Sequence, residues 1–141
     1  MKRLALITGV VLCTACGGAS SSPSAVPTPT ATVVTETFTG TVQIGGTNTH
    51  NFTVTTPGTV NITMTAAGPP PTITMGLGVG NPNAAGQCIF LSGGVRNDAV
   101  ASASTPQLSG TLTASGAYCV AIGDIGNAAG PITYSITVSH T

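Results

Sequence analysis

At 141 residues the chain has room for one domain and a targeting segment, and only 4% of its residues are charged, against about 25% in an average globular protein. Lys2 and Arg3 stand in an N-terminal leader, which leaves Arg96 against Glu36, Asp98 and Asp124, one cation against three carboxylates and a net −2 with histidine neutral. That balance offers nothing to neutralise phosphates, so it excludes nucleic acid as a partner and anionic lipid headgroups as a target of the folded part.

The leader at 1–15 opens with Lys2 and Arg3 and continues in an apolar run at 4–12, shorter than the about 20 residues that span a bilayer. It ends in Thr14-Ala15 before Cys16. This arrangement resembles the lipobox of bacterial lipoproteins, in which the leader is cut before a cysteine that then carries acyl chains such as diacylglycerol and palmitate. The family favours Leu three places before that cysteine, and Cys13, also small and apolar, stands there instead. An ordinary secretory signal with Cys16 as a spare thiol is the alternative. Residues 16–34, rich in Gly, Ser, Pro and Thr, read as a tether without the means to pack. Several acyl chains anchor stably where one holds only marginally. Gly17 replaces the Asp that favours inner-membrane retention in many such lipoproteins, so the resemblance implies an outer-membrane or cell-surface location.

From residue 35 onward the pattern is that of one all-β domain. In 34–44, Phe38, Gly40, Val42 and Ile44 face one way and Thr37, Thr39, Thr41 and Gln43 the other, the period of two of a half-buried strand. Gly45-Gly46 signals a two-residue hairpin turn. Phe52 and Val54 define the next strand, which begins at His50. Thr56-Pro57-Gly58-Thr59 reads as a type II turn, and Val60, Ile62 and Met64 continue the alternation. These three strands are expected to form a meander. Pro69-Pro70-Pro71 suits a crossing between sheets. Met75, Leu77 and Val79 resume the alternation against Gly76, Gly78 and Gly80, where glycine permits close approach. Residues 87–91 are apolar on both faces, as a doubly covered strand would be. Residues 93–104, with Arg96, Asn97 and Asp98, are the least regular. Leu108 and Leu112 mark another strand, and the stretch 116–140 reads as two strands closing the fold as a hairpin. Eight or nine short strands predict an antiparallel β-sandwich or jelly roll, with a closed barrel as the alternative.

With Cys13 removed and Cys16 acylated, Cys88 and Cys119 remain, and two cysteines in an exported domain are expected to pair. The segments FTGTV (38–42), THNFTVTTPGTVNITMT (49–65) and GAYCVAIGD with ITYSITVSH resemble the bacterial pre-peptidase C-terminal domain over about 36–139. That resemblance implies a small jelly-roll-like module of secreted proteins. An aspartate found early in that family is absent, with His50-Asn51 in its stretch, and most acidic residues that support calcium in some relatives are missing.

No G-x-S-x-G accompanies His50 and His140, and no pair of carboxylates is placed for glycoside hydrolysis. His50 reads as a solvent-facing strand residue and His140 as part of a frayed end. The sharpest remaining site is a loop calcium set from Asp124 and Asn127 with Asp98 and Asn97, although Asp, Gly and Asn at 124–127 also suffice to turn the chain. No other cofactor is implied. The expected function is a non-catalytic module on a membrane anchor, binding an envelope or extracellular polymer, such as a polysaccharide, or an envelope protein. The alternative is a structural envelope lipoprotein without a polymer ligand.

Overall fold

The computed structural model describes residues 30–91 and 96–141; the expected leader, the lipidation site at Cys16 and most of the expected tether lie outside them. Among the described residues there are nine antiparallel strands and no helix. They are β1 (Val34–Val42), β2 (Thr47–Val54), β3 (Gly58–Gly68), β4 (Thr74–Pro82), β5 (Cys88–Phe90), β6 (Arg96–Val100), β7 (Leu108–Leu112), β8 (Gly116–Asp124) and β9 (Ile132–His140). One sheet of four strands has the order β1-β9-β3-β7. A second sheet of five has the order β2-β8-β4-β5, with β6 also on β4. The fold is the expected β-sandwich.

Alternation builds the core from both sheets. Ile62, Met64, Ile136 and Val138 of the four-stranded sheet meet Met75, Leu77, Val120 and Ile122 of the five-stranded one, all essentially inaccessible to water. Burying such side chains contributes about 1.5–3 kcal/mol each before the entropy of ordering is subtracted. The intervening residues of β1, β9, β3 and β7 point outward and are almost all hydroxylic. Thr37 lies opposite Thr137, which lies opposite Thr63, and none of these outward positions carries an ionisable side chain.

Pairing departs from the expected order in several places. No meander forms, because β1 pairs with β9, β2 with β8, and β3 with β9 and β7. The turn at Gly45 exists, with φ of 64° and Gly46 N–H donating to the Gln43 carbonyl at 2.8 Å, but it hands the chain from one sheet to the other. Ile44 belongs to that turn and is exposed, not inward. Gly58 opens β3 without the positive φ of a type II turn. The closing strands β8 and β9 do not pair with each other; they sit in opposite sheets. The Pro69-Pro70-Pro71 segment does cross between sheets, from β3 to β4. Residues 96–100, read as irregular, form β6 because β4 presents Gly76 and Gly78 to it.

Candidate functional site

On the outer face of the five-stranded sheet the alternate residues of β4 are Gly76, Gly78 and Gly80, and across β8 they face Gly123, Ala121 and Cys119. This strip has almost no side chains. The sequence allowed close approach at these glycines, and the structure uses it. The main chain of β5 at Ile89 and Phe90 passes directly over Gly80, where any Cβ would collide with the Ile89 carbonyl. The Phe90 ring lies over Gly78, where a Cβ would run into it. β5 is therefore a flap folded back on its own sheet, not the doubly covered strand that its apolar residues suggest. Ile89 and Phe90 remain 56% and 37% exposed.

The disulfide between Cys88 and Cys119 holds this flap down. It joins β5 to β8 past the intervening strand β4, with the two Cα atoms 5.7 Å apart. The expected pairing thus has a local role as well as a global one. Beside the flap a groove of about 610 Å³ opens, within the usual range of about 300–1,000 Å³ for ligand sites. Phe90 and Arg96 form one wall, Thr47 and Thr49 the other, and Asp124 and Ile125 close the end. The Arg96 guanidinium sits 4.9 Å from the centre of the Phe90 ring, a cation–π contact. The phenyl ring thus contacts both Gly78 and the guanidinium.

Three of the four residues of the expected calcium set are engaged in hydrogen bonds within the fold. The Asp124 carboxylate accepts backbone N–H bonds on both oxygens. Oδ2 takes Gly45 at 2.8 Å, and Oδ1 takes Gly126, Asn127 and Ala128 at 2.9–3.1 Å. These donors, Gly45 foremost, hold its pKa below the usual aspartate value against an opposing effect of desolvation. The Asn127 amide donates to the Thr74 carbonyl at 3.1 Å, and the Asn97 amide to the Gln107 carbonyl at 2.7 Å. Asp98 lies on the outer face of β6 beside Gly76. Asp124, Asn127 and Asn97 thus serve as loop ties. Among the described residues no three of His, Cys, Asp and Glu cluster.

Both histidines are more deeply engaged than the sequence suggests. His50 shares the inward parity of Phe52 and is half-buried, stacked 4.7 Å from Phe38. Its Nε2 lies 2.6 Å from the Tyr134 hydroxyl, which also accepts from the Asn48 amide at 3.1 Å. The Tyr134 hydroxyl can donate to Nε2 while accepting from Asn48, an arrangement that suits a neutral ring. Burial lowers the His50 pKa in the same sense. His140 does not fray. It is 3% exposed, packs on Phe52 and places Nε2 3.1 Å from Glu36 Oε1.

Phe90, Thr47 and Thr49 had not been singled out. The available signal was the Gly-x-Gly-x-Gly of β4 followed by an apolar segment bearing a cysteine, a pattern that fits backbone passing over backbone. A scan against protein-family models finds none that matches this chain, and no curated protein matches it.

Proposed function

We propose that residues 35–141 are the binding head of an exported protein anchored through lipid on Cys16, holding an envelope or extracellular polymer without chemically altering it. The observation that carries this reading is the groove, with an exposed aromatic held over glycine and hydroxyl and charged groups on its rim. Ligand sites combine a concave, largely apolar lining with a few oriented polar groups. The non-catalytic part is supported by the engagement of both histidines in packing and hydrogen bonds within the sandwich. Likeness of 38–65 and 116–139 to the pre-peptidase C-terminal module fits the same role, and Gly17 fits display at an outer membrane.

The test is retention of the full chain, in mild detergent, on insoluble peptidoglycan, cellulose, chitin and collagen, each with calcium and with chelator. Saturable retention on one polymer is expected, and absence of retention on all would remove the reading. Incorporation of labelled palmitate, lost in Cys16→Ser, tests the anchor separately.

A second reading, a structural envelope lipoprotein, is favoured by the outward face of the four-stranded sheet. Its rows of Thr and Ser, free of ionisable groups, suit a flat contact with a protein partner. Cross-linking in native membranes to a single protein through cysteines placed at Thr37 or Thr137 would support it.

A further inference from the structure

We infer that the groove takes a carboxylate-bearing polysaccharide, with Arg96 receiving the sugar acid and Asp124 Oδ2 a neighbouring hydroxyl. This inference rests on the polymer-binding reading and names the class of polymer. The chain has three Asp and Glu residues in all, and every one lies among the described residues. Glu36 is paired with His140, Asp124 is held by four backbone amides, and Asp98, two residues along β6 from Arg96, makes no ion pair with it. Among the described residues Arg96 has no ion-pair partner, and the 92–95 segment beside it (Ser-Gly-Gly-Val) contains no carboxylate that would supply one.

A guanidinium presents paired N–H groups in one plane, the fork that receives a carboxylate by two parallel hydrogen bonds. At the end of the groove, Asp124 Oδ2 accepts a single amide and retains capacity for another donor. A cationic fork at one position and an acceptor at another, with Thr47 and Thr49 on the facing wall, match a ligand that carries both acid and hydroxyls. Phe90, 37% exposed beside the guanidinium, offers an apolar surface against which a sugar ring packs. The net negative charge of the domain opposes approach only over distances that salt screens, about 8 Å at physiological ionic strength.

The experiment measures binding of fluorescent oligosaccharides to the full chain in mild detergent. Oligogalacturonate is compared with a neutral dextran of equal length and with oligoglutamate, for the native chain, Arg96→Gln and Arg96→Lys. Thr137→Val, on the opposite sheet, serves as the control. Arg96 is exposed, so its variants are expected to fold, and circular dichroism verifies this. The native chain should prefer the uronate over dextran by about tenfold or more, a preference that falls with salt, disappears in Arg96→Gln and is partly kept in Arg96→Lys. Equal binding of dextran and uronate would overturn the acid assignment while leaving a polymer-binding module in place. Oligoglutamate binding as tightly as the uronate would make the ligand an acidic peptide and overturn the sugar. Binding of none of the three, together with no retention on any insoluble polymer, would remove both.

Discussion

The Asp124 carboxylate joins the loop after β1, through Gly45, to the loop after β8, through Gly126, Asn127 and Ala128. Its folded pKa is lower than its unfolded one, so its stabilisation is complete above about pH 5 and is lost as pH falls through the folded value. Asp124→Asn should lower the Tm at neutral pH and flatten the acid limb of a Tm profile between about pH 2 and 7. His50 carries a second acid sensitivity. Its lowered pKa means that the unfolded chain takes up protons first as pH falls below about 6.5, so stability is fully present above that value and declines beneath it. Tyr134→Phe removes the hydroxyl joining Asn48 to His50 and should cost about 1–2 kcal/mol in urea unfolding. At this scale the turn chemistry of 124–127 was legible, because Asp, Gly and Asn have local reasons to be there. The depth of His140 was not, since a penultimate residue gives no sign that Val34 pairs beside it.

β5 depends on its attachment. It has three residues, two of them largely exposed, and the disulfide ties it to β8. Replacing both Cys88 and Cys119 by Ser opens a loop of 31 residues and should cost about 3–4 kcal/mol, read as a shift in urea midpoint that reductant reproduces in the native chain. Polymer binding should weaken at denaturant-free conditions in the same variant, because Phe90 loses its place over Gly78. The apolar run at 87–91 could be read as a strand but not as a flap. Periodicity shows which residues avoid water and is silent on a strand that lies across its own sheet. β6 was hidden for the complementary reason, since Arg96, Asn97 and Asp98 have weak strand preference and form one only against glycine-lined β4.

Across the whole molecule, consecutive strands from β1 to β4 and from β7 to β9 alternate between sheets, so nearly every strand finds its partner far along the chain. Such long-range pairing predicts refolding on the millisecond-to-second scale, measurable by stopped-flow. A cavity in Ile136→Ala, between the two sheets, should cost about 2–5 kcal/mol. The inward residues of the main strands were legible throughout, while their neighbours were not, because alternation identifies a face and leaves the pairing to closure of the core. Val34 lies beside His140, whereas Asp124 and Ile125 close the groove near Val42 and Ile132, at the other end of strands nine residues long. In the anchored protein proposed above, a tether ahead of Val34 would therefore pull on one pole, about 25–30 Å from the pole toward which the groove runs. Under tension, such as a moving surface exerts on an attached polymer, force would pass lengthwise through β1 and shear its whole ladder with β9 at once, the loading direction in which a hydrogen-bonded strand pair resists most.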